Sequence, residues 1–94
     1  MINTKEKESR RLRSAKKHLE GIGFYVVLSR ASLGPFDLVA MNANGVLFIQ
    51  VKCNSWPDEA EEETIRLFDK APRPYIKQVW RFDDHKVNPQ VKTY

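Results

Sequence analysis

Two apolar stretches, residues 36–41 and 46–53, flank the run Asn42-Ala43-Asn44-Gly45. β-Branched and aromatic residues split by turn formers predict an antiparallel hairpin. With residues 42–45 as a four-residue loop, Met41 meets Val46 and Asp37 meets Gln50. A two-residue Asn44-Gly45 loop would instead set Asp37 against Lys52. Either way one face carries Val39, Met41, Val46 and Phe48, and the other Leu38, Ala40, Leu47, Ile49 and Val51. A hairpin that is apolar on both faces belongs inside a sheet covered by helices on both sides. Asp37, Gln50 and Lys52 are predicted to share the first face, where burying polar groups costs free energy unless they are partnered or have a task.

The remaining segments supply the covers. From residue 4 to about 21, Leu12, Ala15, Leu19 and then Ile22 recur at spacings of three and four, with Gly21 and Gly23 at the end, which predicts an amphipathic helix and its stop. Residues 24–28 read as a strand broken by Ser32-Leu33-Gly34-Pro35. After the loop 54–57, Asp58 can cap a second helix with Glu59, Glu61 and Glu62 in its early turns and Ile65, Leu67 and Phe68 as apolar contacts. Pro72-Arg73-Pro74 ends it, residues 75–82 form a further strand, and a polar tail comes last with a turn at Asp83-Asp84-His85. The predicted order is αβββαβ, a mixed central sheet flanked by helices, in one α/β domain over residues 1–94. A chain of this length builds only a modest core, which dimerisation would help.

Charge is unevenly placed. Residues 5–17 hold seven basic and two acidic side chains, a net of +5, against +4 for the whole chain; residues 58–69 hold six acidic and one basic, a net of −5. A basic helix of this density suits a polyanion, because each phosphate neutralised releases counterions. Lys5, Arg10 and Arg11 are the expected DNA contacts, against the plain alternative of a solvated helix face. No apolar run nears the roughly 18 residues of a membrane span, and the charged N-terminal stretch is unlike a signal peptide. Cys53 has no second cysteine for a disulfide or a thiolate metal site, which favours a reducing, cytoplasmic setting. It reads as a small buried hydrophobe rather than a reactive thiol. His18 and His85 lack ligand-spaced partners, and Trp56 and Trp80 read as core or dimer contacts.

The chemistry that would justify polar residues on an apolar face is a divalent cation. Mg²⁺ binds one or two carboxylates, neutral oxygens, waters and substrate phosphate. Asp37 is the natural ligand, with the Gln50 side-chain oxygen and the Val51 carbonyl completing the protein's share. Lys52 would orient or help deprotonate the attacking water and stabilise charge on the scissile phosphate. Phosphodiester hydrolysis with Mg²⁺ or Mn²⁺ is the expected reaction.

Residues 23–30 (Gly-Phe-Tyr-Val-Val-Leu-Ser-Arg), then Phe36-Asp37-Leu38-Val39-Ala40, then Phe48-Ile49-Gln50-Val51-Lys52, resemble the PD-(D/E)xK nuclease superfamily, most closely its archaeal-type Holliday junction resolvases. The resemblance spans residues 5 to about 82 and implies the same restriction-endonuclease-like αβββαβ core. It makes Asp37 the metal-binding aspartate, Lys52 the motif lysine, and puts Gln50 where Glu or Asp is usual. That branch also carries an acidic residue early in its first helix. Alignment on Gly23-Phe24 puts Leu12 there, with Glu8 one turn earlier on the same helical face as the candidate. Arg30 and Ser32 resemble the basic and hydroxyl residues near the scissile phosphate. The resemblance thus implies a metal-dependent endodeoxyribonuclease, selective for branched or distorted DNA and acting as a homodimer. The alternative is a nuclease-fold DNA-binding protein that has lost catalysis, motivated by Gln50; a protein-interaction module built on the acidic helix is a third reading.

Overall fold

The computed structural model describes residues 4–29, 34–71 and 73–94, with side chains from residue 6 onward. Its elements are α1 (Thr4–Gly21), β1 (Tyr25–Leu28), β2 (Leu38–Asn42), β3 (Gly45–Cys53), α2 (Glu59–Leu67), β4 (Tyr75–Phe82) and β5 (Gln90–Thr93). One five-stranded sheet has the order β1-β2-β3-β4-β5. β3 and β4 are parallel and the other pairs antiparallel. Parallel neighbours need a long crossover, and α2 supplies it.

Each helix end follows from local chemistry. At the C-terminus of α1 the Phe24 N–H donates to Leu19 O at 3.0 Å and the Gly23 N–H to Glu20 O at 3.2 Å, with Gly23 at φ 101. This Schellman closure needs a left-handed residue, which glycine supplies without a Cβ penalty. At the start of α2, Asp58 accepts from the Glu61 N–H at 2.8 Å while the Glu61 side chain accepts from the Asp58 N–H, a full capping box. Its far end is tied down by Lys77, whose Nζ donates to the carbonyls of Ile65, Arg66 and Phe68 at 2.8, 2.8 and 3.3 Å. A cation there meets the negative end of the helix dipole.

The sheet is buried on both faces, as its apolar strands require. On one face Leu38, Ala40, Ile49, Val51, Trp80 and Phe82 pack with Ala15 and Leu19 of α1 and Val26 of β1. On the other, Phe36, Val39, Phe48 and Val79 pack with Ile65, the one buried side chain of α2. Phe36, Phe48, Phe68 and Tyr75 fill this second layer, their touching rings 5.0–6.2 Å apart between centroids.

Several sequence expectations change, among them Ile22 and Leu67, expected on apolar helix faces but exposed. The C-terminal tail is not merely polar coil: Gln90–Thr93 pairs with β4 as a fifth strand, its four residues all exposed. With no buried face it carries no apolar alternation, so β4's open edge selects it. The hairpin turn is tighter than a four-residue loop, since Asn42 pairs with Gly45. The Asn42 side chain closes it by accepting from the Asn44 N–H at 2.8 Å. Met41 still faces Val46.

Candidate active site

Asp37 lies just before β2. The regular β2–β3 register pairs Leu38 with Ile49, yet the Asp37 N–H donates to Ile49 O at 2.9 Å. Asp37 and Leu38 therefore both oppose Ile49, which is the geometry of a β-bulge. The expectation that Asp37 faces Gln50 on a shared sheet face is corrected here, because the extra residue breaks the alternation. The Asp37 carboxylate turns to the α1 side, where its Oδ2 accepts from the Val51 N–H at 2.7 Å. There it lines a cleft of about 210 Å³ with Glu8, Ser9, Leu12 and Val51. Glu8 and Leu12, the two positions from α1 that compete for the acidic role, thus both reach Asp37's surroundings.

Gln50 and Lys52 do not line that cleft. Gln50 is 8% exposed; its Nε2 donates to Pro35 O at 3.1 Å, and its Oε1 is buried without a hydrogen-bond partner among the described residues. The Pro35 carbonyl fixes the amide's orientation, since only the nitrogen can donate to it. Lys52 reaches toward α2, with its Nζ 3.5 Å from Glu61 Oε2. All these groups meet at one end of β3, by the bulge.

Burial raises the Asp37 carboxyl above its ordinary value; the Val51 N–H opposes this, Glu8 adds to the rise and Lys52 offsets part of it. A half-buried carboxylate near a second carboxylate is a place that a cation would relieve, and at the same strand end the buried Gln50 Oε1 has no donor among the described residues. The residues present fit a hard divalent ion through Asp37 and the Val51 carbonyl, with Gln50 Oε1 a further acceptor at the same end of β3. That carbonyl leaves β3 on the same side as the N–H that reaches Asp37, because both groups of one strand residue point to one neighbour. No group of three or more His, Cys, Asp or Glu positioned to hold a metal occurs among the described residues. Any such site must draw on neutral oxygens and waters.

The basic face of α1 is partly committed to the fold. Arg11, an expected DNA contact, donates from NH2 to Asp83 O at 3.2 Å and lies 5.3 Å from the Phe82 ring centroid. Lys7 pairs with Asp84 at 3.1 Å and Lys16 with Glu20 at 2.9 Å. Arg10, Arg13 and Lys17 are exposed. The Lys5 side chain, Arg30 and Ser32 lie outside the described residues. Cys53 is partly buried, and burial, then Glu8, raises its thiol, in keeping with a packing role. His18 stacks edge-on to Trp80 at 6.2 Å and His85 occupies a left-handed turn. Trp80 is a core residue, while Trp56 packs on the second layer with Arg81 over its ring. Sequence reasoning missed Glu61 as Lys52's neighbour, although the Asp58-x-x-Glu61 capping pattern marked its place at the helix start.

The sheet and its flanking helices define a restriction-endonuclease-like α/β fold. Among solved structures the chain is similar to Hjc, a Holliday junction resolvase from the archaeal hyperthermophile Archaeoglobus fulgidus. Identity is 20% and the TM-score 0.62, over 87% of this chain and 73% of that one. No family model and no curated protein matches the chain. Among the described residues no helix is long and apolar enough to cross a membrane.

Proposed function

We propose that this chain is a divalent-metal-dependent endodeoxyribonuclease of the resolvase-like kind, acting on branched or distorted DNA as a homodimer inside the cell. The observation that carries it is the buried Gln50 Oε1, without a hydrogen-bond partner among the described residues, at the same strand end as the raised carboxyl of Asp37. The resemblance of residues 36–40 and 48–52 to the nuclease motif, and the fold shared with a Holliday junction resolvase, support the same reading.

In this reading Asp37, Gln50 Oε1 and the Val51 carbonyl would hold Mg²⁺ or Mn²⁺, with Glu8 as a further candidate beside them. When bound, the ion supplies Lewis-acid polarisation of the scissile phosphate and a more acidic attacking water. Val51's N–H keeps the Asp37 carboxylate in place, and Lys52 presents a cation to the phosphate as negative charge builds there. The exposed Arg10, Arg13 and Lys17 of α1 track the backbone, which favours shape over sequence. Paired cuts need two sites and each chain offers one, so two copies make the working unit.

The test is incubation with four-way junction, flap, single-stranded and linear duplex DNA, with Mg²⁺, Mn²⁺ or chelator, alongside Lys52→Ala. Metal-dependent cleavage lost in Lys52→Ala is expected. Binding without cleavage under every metal would instead favour a DNA-binding protein that has lost catalysis; the neutral amide at Gln50 is the observation on that side.

A further inference from the structure

We infer that Glu61, at the third position of α2, is the positioning residue for Lys52, and that the α2 capping box is what makes it rigid enough for that work. The inference rests on the nuclease reading above and deepens it.

Glu61 divides its two oxygens between two tasks. Oε1 accepts from the Asp58 N–H at 3.4 Å and closes the capping box, while Oε2 lies 3.5 Å from Lys52 Nζ. The other carboxylates of α2 are placed elsewhere: Glu62 takes Lys92 at 2.5 Å and Tyr94 at 2.8 Å, Glu63 pairs with Arg66, and Glu59 points to solvent. A lysine carries a long stem with several rotatable bonds, and a surface carboxylate usually gains little by holding it, since both side chains must be ordered at once. Glu61 is already ordered by the cap, so only Lys52 loses freedom.

Both side chains are also partly withdrawn from water, at 21% and 40% exposure, which leaves their attraction less screened than that of an open pair. On its other side Lys52 acts on the Asp37 carboxyl. Its ammonium is thus held by the carboxylate of the helix start, so α2 sets where the cation stands relative to the proposed metal site.

Glutamine also completes a capping box, so Glu61→Gln removes the charge and keeps the helix start, whereas Glu61→Ala removes both. Cleavage kinetics with Mg²⁺ and NMR relaxation of the Lys52 side chain in metal-free protein form the test, with Glu59→Gln as the control for helix charge. Glu61→Gln is expected to lower kcat about fivefold with KM within about twofold, as for a group acting mainly in the transition state. Lys52 should become more mobile in the same protein, and Glu59→Gln should match the unsubstituted protein in both measurements.

Unchanged kcat and Lys52 mobility in Glu61→Gln would overturn the inference while leaving the nuclease reading standing. A loss seen only in Glu61→Ala would overturn it by assigning Glu61 to the cap alone, and an equal loss in Glu59→Gln would overturn it in favour of general charge. No cleavage by the unsubstituted protein with either metal would overturn the nuclease reading and this role together, whatever the Lys52 relaxation shows.

Discussion

Gln50→Glu puts a carboxylate at the main departure from the nuclease motif that the sequence resembles, and its cost can be worked out from the site. The amide's donated bond to Pro35 O, 3.1 Å long, is worth about 1 kcal/mol net. A carboxylate cannot make it and sets two acceptors face to face. The new charge also stands at the same strand end as Asp37, whose carboxyl burial and Glu8 already push up. The penalty has a ceiling, because a carboxyl that is too costly to ionise takes up a proton instead. From an ordinary glutamate value of about 4.3, holding it protonated at pH 7 costs about 3.7 kcal/mol, at about 1.36 kcal/mol per pH unit. A proton taken up could also restore the donation to Pro35, so the two costs do not add in full. Metal-free destabilisation of about 2–4 kcal/mol is expected, which for a domain this size lowers Tm by about 10–30 °C.

Metal should reverse the effect, since the added charge tightens binding to the folded state. A hundredfold excess over Kd gives a stabilisation of about 2.7 kcal/mol. Thermal unfolding in chelator, Mg²⁺ and Mn²⁺ reads both halves. Equal Tm values for the two proteins in chelator would show that position 50 does not sit among carboxylates. A Gln50→Glu protein as indifferent to metal as to chelator would refute the role of this position in holding an ion.

Asp37→Asn should abolish cleavage yet stabilise the metal-free protein at pH 7, with the amide oxygen still accepting from Val51. Because the folded value lies above the ordinary 3.8, Asp37's contribution is most favourable below the unfolded value and is lost as pH rises through the folded one. Urea unfolding should therefore show the Asn advantage at pH 7 and not at pH 3; a deficit at both would contradict the reasoning. Arg10→Ala with Arg13→Ala should reduce the slope of log K against log salt for duplex DNA by about 0.9 per residue. Arg11→Ala should mainly lower Tm, through its lost contacts with Asp83 and Phe82, and an unchanged slope in the double variant would take this face of α1 off the DNA. Lys77→Met should cost about 1.5–3 kcal/mol in urea unfolding, since the three carbonyls closing α2 lose a charged donor; a loss within the scatter of ordinary surface changes, about 0.5 kcal/mol, would deny it that role.

Short-range patterning determined most of the fold. The apolar spacing of Leu12, Ala15 and Leu19, the Gly21 and Gly23 stop, the Asp58 cap and the two-faced apolar hairpin each encode a local preference. Both faces of the sheet are covered because neither face of residues 38–41 and 46–51 could stay in water. Tertiary structure decided the features that need partners distant in the chain. β5 exists as a strand because β4 offers it an edge. Arg11 and Lys7 are drawn from the basic face by the Asp83–Asp84 corner, more than seventy residues away. Alternation alone put Asp37 with Gln50, but the bulge against Ile49 sends it to Val51 and Glu8, and only the packing of α2 over β3 brings Glu61 to Lys52. Period and propensity are properties of neighbouring residues, whereas a bulge, an edge or an ion pair across elements exists only once the layers are stacked.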